Sequence, residues 1–444
     1  SPWPFDPLPL KDLRASKHKV FAHYFTPYPI SIDNREPESD YYTRGYLDPE
    51  GENGKHRGYG GLLRDRPIPR APIKEKDWAH QDMETEVRRA AAIGLDGFCC
   101  DLLSDSGQLW QRTLILMDAA VRVDPGFKIM LMPDMEAVYK DAPEKLKESV
   151  KALAKHPAAM RLDDGRLVVS PFNAQNRPAA WWSDWLAAMK KDGIDIAFLP
   201  LFQGWERYAK DFAPISAGFS DWGWRTPTGN QRWRSVPAKA RQSVAIWMMP
   251  VAPQDMRPRS FTYWEACNSE NYRVMWESAI AGDADWVQLI TWNDYSENAH
   301  VAPSLNTQWA IYDLTAYYVQ WFKTGQQPPI VRDVLYYFYR NQRTGTRFQE
   351  RGNEKPRDEI ELLAFLAKPG MLEIELAGQK QQKDAPAGIT SFKVPLAFGR
   401  PSFRLLRGGQ QVLQVTGAFE IQENPAILDL LYRCGSSRPP VVLP

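Results

Sequence analysis

The sequence predicts an α/β fold: a (β/α)8 TIM barrel followed by a C-terminal antiparallel β-sandwich. Three observations predict it. Over residues 1–327, eight short apolar runs rich in β-branched and aromatic residues alternate with segments of helical periodicity. Strict β-α alternation implies a parallel sheet, and eight units imply a closed barrel. No G-x-G-x-x-G and no P-loop follows any run, which disfavours the nucleotide-binding open sheets that alternate similarly. Past Pro328 the pattern changes to short strand-like segments between Gly, Pro and charged turns, as in a sandwich spanning 328–444.

In chain order, residues 1–17 are Pro-rich and are expected to wrap the surface. The first strand, Lys19–Phe25, ends at His23 and Tyr24. The loop from Pro27 to Lys76 is too long for a plain connection, so it is either a substrate-facing wall or a structural wrap. Asp82–Ile93 reads as a helix, with Asp82 as N-cap, Glu84 and Glu86 in its first turn and Gly94 at its end. Strand two, Gly97–Leu103, ends near Asp101 and leads to the helix Gln108–Val123. Strand three, Lys128–Met132, runs into Asp134 and Glu136. Pro143 opens the next helix as a first-turn proline. Strand four, Arg166–Phe172, precedes the amphipathic helix Ala179–Lys191. Strand five, Ile194–Phe202, ends at Gln203 and Trp205, and strand six, Ala217–Trp224, carries Asp221, Trp222 and Trp224. Strand seven is Ser243–Val251, with Gln254 and Asp255 beyond it, and the helix Tyr272–Ala281 leads to strand eight, Trp286–Trp292. Thr315–Lys323 is the last barrel helix. Six segments, from Val334–Arg340 to Gln411–Gly417, supply the sandwich, which is expected to buttress the barrel.

The totals narrow the function. Lys+Arg number 55 and Asp+Glu 54, with no long basic block or acidic tail, which disfavours nucleic acid and anionic membranes as partners. No apolar run is long enough to span a bilayer. Ser1 is read as following a removed signal, so a secreted or periplasmic location is expected. Cys99 and Cys100 are adjacent and point to opposite faces of a strand, so they read as buried thiols; Cys267 and Cys434 pair only if the two halves of the chain meet there. The six histidines show no metal-ligand spacing, and neither a metal nor an organic cofactor is expected. Oligomeric state is not legible.

The chemistry collects after strand eight. Trp292 and Asn293 lead into Asp294 and Glu297, two carboxylates three residues apart, with His300 beyond. In a parallel barrel, the edge where strands end is where catalytic side chains gather. Paired carboxylates suit glycosidic cleavage, one as acid and the other as base or nucleophile. Burial and mutual proximity raise the pKa of a general acid. The other strand ends add His23, Tyr24, Asp101, Asp134, Glu136, Gln203 and Asp221, with Trp205, Trp222, Trp224 and Trp292 interleaved. That mix suits a polysaccharide or oligosaccharide: polar groups for hydroxyls, aromatic faces for ring C–H. The competing assignments are plain: a lone Asp is a helix cap, a Trp is core, and His300 orients a carboxylate or a loop.

The stretch ITWNDYSEN, with VAP after His300, resembles the strand-eight signature of glycoside hydrolase family 71, the endo-acting α-1,3-glucanases called mutanases. KVFAHYFTPYP is similar to that family's first strand, DMETEVRRAAAIGLDGFCCDL to its helix and second strand, and NYRVMWESAI to its segment before strand eight. The resemblance covers roughly residues 18–325. It implies an inverting α-1,3-glucanase with Asp294 as base and Glu297 as acid. Two departures stand out: the usual Gly-Glu-Ser is Ser296-Glu297-Asn298 here, and Val301 stands where a Tyr follows the His. A hydrolase of the endo-α-mannosidase type on the same barrel, or a silent carbohydrate-binding barrel, are the competing readings.

Overall fold

The computed structural model describes residues 1–345 and 347–439. Eight strand positions form the barrel: β1 (Lys19–Tyr24), β2 (Gly97–Leu102), β3 (Lys128–Pro133), β4 (Leu167–Val169), β5 (Ile196–Phe198, resuming at Leu201–Phe202), β6 (Gly218–Asp221), β7 (Ile246–Val251) and β8 (Trp286–Leu289). Neighbours pair in parallel all the way round, and β8 returns to β1 with Trp286 opposite Lys19. The ladder breaks at Pro200, which has no N–H to give. The first half of β5 pairs with β4 and the second with β6, so the sheet closes on itself.

Helices follow each strand: α1 (Trp78–Ala92), α2 (Gly107–Val123), α3 (Leu146–Ala154), α4 (Ala179–Lys191), α5 (Ala209–Phe212), α6 (Val236–Ala240), α7 (Glu270–Ala281) and α8 (Ala310–Thr324). Two helix starts lie a full turn or more before the expected residue. Asp82 is not a cap but lies inside α1, where Arg70 grips its carboxylate at 2.6 and 2.7 Å. The helix begins one turn earlier, at Trp78, and none of its first four residues is buried, so no core-facing stripe marks the start. α8 begins at Ala310, and 13 of its 15 residues are buried, so it has no polar face to mark its start.

Strand alternation decides what reaches the site. Val20, Ala22, Tyr24, Phe98 and Cys100 face the helical layer, while Phe21, Cys99, Met130, Val168 and Met248 fill the barrel interior. Burial on both faces explains why the strands read as continuous apolar runs. The four cysteines are free and buried. The N-terminal segment docks on α8 through Trp3, whose indole N–H donates to Asp313 at 2.9 Å, and through Phe5, whose ring meets Tyr317 edge-on.

The C-terminal part is a two-sheet sandwich: β9 (Val334–Tyr339), β10 (Glu359–Leu366), β11 (Gly370–Leu376), β12 (Gln379–Ala385), β13 (Gly388–Pro395), β14 (Ser402–Arg407), β15 (Gln410–Thr416) and β16 (Arg433–Ser436). One sheet runs β13-β10-β9-β16 and the other β12-β11-β14-β15, with every pair antiparallel. Residues 440–444 of the expected domain lie outside the described residues. No apolar run announces β12, because its first six residues, QKQQKD, are polar and exposed. Its signal was the two-residue turn Ala377-Gly378, with φ of 52° and 75°, which closes a tight hairpin.

The first sheet serves two cores. Leu335, Tyr337, Tyr339, Leu362 and Ala364 face the second sheet, while Val334, Tyr336, Phe338, Leu363 and Phe365 join the core of the barrel's helical layer. Phe365 meets Tyr317 of α8 at 5.2 Å between ring centroids. Phe365→Ala is expected to cost about 3–5 kcal/mol and to lower the unfolding midpoint of barrel and sandwich together. Two separated transitions in calorimetry, with only the sandwich shifted, would show that the halves unfold independently.

A small ribbon ties the sandwich to the barrel mouth. Met256–Arg257, just past β7, pairs with Thr262–Tyr263, which pairs in turn with Gln349–Glu350 from beyond β9. Gln254 exchanges two hydrogen bonds with the backbone of Tyr432, and Glu265 holds Arg340 at 2.7 Å.

Candidate active site

The loop after β8 is built to present two carboxyls. The Thr291 hydroxyl accepts the Asp294 N–H at 2.8 Å, and the Trp292 N–H donates to the His23 carbonyl at 2.8 Å, which fixes where the chain leaves the barrel. Asp294 then organises the turn. Its Oδ1 accepts from the Ser296 N–H, the Ser296 hydroxyl and the Glu297 N–H, at 3.0, 2.6 and 3.2 Å. Asn298 takes a positive φ of 51° and donates to the Met256 carbonyl, while the Met256 N–H donates to the Glu297 carbonyl. The backbone of Glu297 is thus bolted to the segment past β7.

A cleft of about 1140 Å³ opens at the carboxyl ends of β5 to β8. Glu297 lines it with 22% of its side chain exposed, and Asp294 lies buried beneath. The walls carry Gln203, Asp221, Trp222, Trp224 and Trp264. Trp224 and Trp264 meet edge-on at 4.6 Å. Trp222 sits edge-on between His23 and Phe172, at 5.1 and 4.9 Å. Asp255 and Arg257 form a bidentate pair at 2.9 and 2.8 Å, and Arg257 also reaches Glu297 at 3.3 Å.

The two carboxyls are electrostatically unequal. Burial and the neighbouring charge of Asp294 push Glu297 up to about 8. Burial raises Asp294 as well, while the Ser296 hydroxyl, the Arg257 guanidinium and the Glu297 N–H oppose the rise. Three donors on one oxygen favour the ionised form. The donors favour charge on Asp294, and burial together with that charge favours a proton on Glu297.

Beneath them His23, Asp101 and Asp134 form a second buried group. His23 Nε2 lies 3.1 Å from Asp101, and burial depresses the imidazole to about 4, so it is neutral. Burial raises Asp101 to about 7; burial and Asp101 raise Asp134 to about 9. Among the described residues, no group of three or more His, Cys, Asp or Glu is placed to hold a metal ion.

Several expected sugar contacts lie elsewhere. Tyr24 has the outward parity of Val20 and Ala22, and its hydroxyl donates to Met83 on α1. Trp292 is fully buried, donates its indole N–H to Glu86 on α1 and packs on Phe98. Asn293 is spent on the backbone of Phe25 and Tyr28. His300 is buried against Asp65 at 2.7 Å and pins the long loop. Trp205 borders the cleft, but it is 4% exposed and its indole packs on Trp247. Glu136 is exposed on the rim, held by Asn176 at 2.7 Å, and does not line the cleft. Asp221 lines the cleft, yet its oxygens already accept from Gly204, Trp205 and Gly223. The loop 27–76 contributes nothing to the cleft lining; it wraps the outside of the β8 loop through Tyr28, Tyr42 and Leu63 against Tyr295.

Arg225, Arg257 and Trp264 are in the cleft and were not singled out from sequence. For Arg257 a signal existed: Gln254-Asp255-Met256-Arg257 follows a buried strand, and a D-x-R pair there reads as a charge clamp. Arg225 and Trp264 carry no such mark.

A family model described as glycosyl hydrolase family 71 matches residues 73–431 and so spans both barrel and sandwich. The chain is 25% identical over 386 residues to a mutanase of Penicillium rubens, covering 79% of this chain and 83% of that protein. It is also 25% identical over 386 residues to a glucan endo-1,3-alpha-glucosidase of Schizosaccharomyces pombe, covering 78% of this chain and 87% of that one. Among solved structures, a family 99 endo-alpha-mannosidase from Bacteroides thetaiotaomicron is similar with a TM-score of 0.54 at 16% identity, covering 70% of this chain and 98% of that one. That likeness is one of fold.

Proposed function

The chain belongs to glycosyl hydrolase family 71, and on that premise we propose that it cleaves α-1,3-glucosidic bonds within α-glucan chains, with inversion. Glu297 is the general acid and Asp294 the general base. The observation that carries this reading is the asymmetry of the pair: a raised, cleft-facing Glu297 above an Asp294 whose oxygen takes three donors. Asp294 removes a proton from a water whose oxygen bonds to C1. The C1–O3 bond breaks, and the leaving O3 takes the proton of Glu297. The β-configured product leaves with Asp294 protonated and Glu297 ionised, and exchange of one proton with solvent restores both.

The names of the relatives support the substrate, and the tryptophan walls support a sugar chain in the cleft. Residues 1–327 act as the catalytic barrel and 328–444 as its buttress. No helix among the described residues is long and apolar enough to cross a membrane; the reading places the enzyme outside the cytoplasm, secreted or periplasmic, where a polymeric glucan is met.

Proton NMR of the anomeric signals during digestion of α-1,3-glucan oligosaccharides tests the reading. The β-anomer appears first if it holds. The α-anomer first would mean retention, and no cleavage would remove the activity. Trp224→Ala and Trp264→Ala are each expected to raise KM about tenfold, an aromatic contact of about 1–1.5 kcal/mol, while kcat moves less. An unchanged KM in both variants would take the indoles out of substrate binding.

A further inference from the structure

We propose that Asp255 and Arg257 are positioning residues for Glu297: Asp255 fixes the guanidinium, and the guanidinium fixes one carboxyl oxygen so that the other faces the substrate. This rests on Glu297 being the acid. The geometry is specific. Arg257 Nη2 is 2.8 Å from Asp255 and 3.3 Å from Glu297 Oε2. Oε2 is enclosed and accepts no hydrogen bond from the described residues, so the exposed part of the side chain leaves Oε1 open to the cleft. The same three-residue segment holds the Glu297 backbone, because the Met256 N–H donates to the Glu297 carbonyl at 2.8 Å. Side chain and main chain of Glu297 are therefore set by one short segment, Asp255-Met256-Arg257.

A second guanidinium stands behind the first. Arg225 is 2% exposed, lines the cleft, donates from Nη1 to the Trp224 carbonyl at 3.1 Å, and among the described residues has no hydrogen-bond partner for Nε or Nη2. The charged groups facing Glu297 are thus Asp294 and Asp255, which hold its proton on, and Arg257 and Arg225, which draw it off. The arrangement gives the acid two tasks in one cycle: it carries a proton before cleavage, and its carboxylate has two cations beside it afterwards.

The consequence is a pair of opposite shifts. Removing a cation makes Glu297 harder to ionise; removing an anion makes it easier. Arg257→Met is expected to move the alkaline limb of kcat/KM up by about one pH unit and to lower kcat about tenfold. Asp255→Asn is expected to move the same limb down by a similar amount. Arg257→Lys keeps the charge but loses the two-pronged grip, so its limb stays near wild type while kcat falls. Folding is checked by the thermal midpoint of each variant. The carboxyl titration of Glu297 is read independently of turnover, from the infrared difference between each protein and its Glu297→Gln counterpart. Opposite shifts in both readouts support the assignment. An unmoved titration in Arg257→Met and Asp255→Asn overturns it. Should the wild type fail to cleave glucan, the proposed function falls, while the infrared titration still decides whether the two residues govern Glu297.

Discussion

Glu297→Gln is expected to lower kcat on α-1,3-glucan oligosaccharides by about 10²–10⁴, the range of general acid–base catalysis, and to leave their Kd nearly unchanged. The amide keeps the shape of the side chain and the backbone bonds to Asp294 and Met256. What it loses is a transferable proton. The loss should therefore depend on the leaving group. A glycosyl fluoride, whose departure needs no protonation, should be cleaved by the variant at close to the wild-type rate. An equal loss on fluoride and glucan would take Glu297 out of the acid role. The pH profile follows with a definite sign. Glu297 is pushed up to about 8, so the active, protonated form prevails below that pH, and activity falls as pH rises through it.

Asp294→Asn is expected to cost a similar factor of about 10²–10⁴ for the opposite reason: the water is no longer deprotonated. The Asn oxygen still accepts from Ser296 and Glu297, so the turn keeps its form. Azide needs no base and should restore turnover, giving a β-glycosyl azide. A second effect separates this variant from a merely misfolded one. The charge of Asp294 helps hold Glu297 up, so removing it drops the Glu297 pKa and moves the alkaline limb to lower pH. An alkaline limb in its original place would mean that the two carboxyls do not interact.

The strand-eight motif was legible because it combines a local pattern with a local structure. Asp294 and Glu297 lie within one turn that Asp294 itself ties together, so their spacing carries their geometry. The barrel was legible because each strand and helix has its own period, with Pro200 the one interruption that splits a strand without ending it. Tyr24 and Trp292 enter the expected site by their place at strand ends alone. Parity was the missing constraint: His23 shares the inward face with Phe21, and Tyr24 one residue on cannot. Trp264 is hidden for another reason. It follows a short hairpin whose outer partner, Gln349–Glu350, arrives from beyond β9, and no local period announces a partner so distant along the chain. His300 and Asp65 are likewise a contact between distant loops.

That ribbon carries a consequence for how such a chain can be inherited and reshaped. A fragment stopping at residue 327 keeps every barrel strand, yet it loses the outer strand of the ribbon and the Tyr432 backbone that grips Gln254. Arg257 would then lean on an unsupported hairpin. Exchanging or discarding the sandwich by gene shuffling would break these contacts at the barrel mouth, so the two parts are expected to travel together. Freedom to graft, insert or fuse lies on the far side, at the exposed turns around Gly165 and Gly193, where an added side chain would meet no other atom.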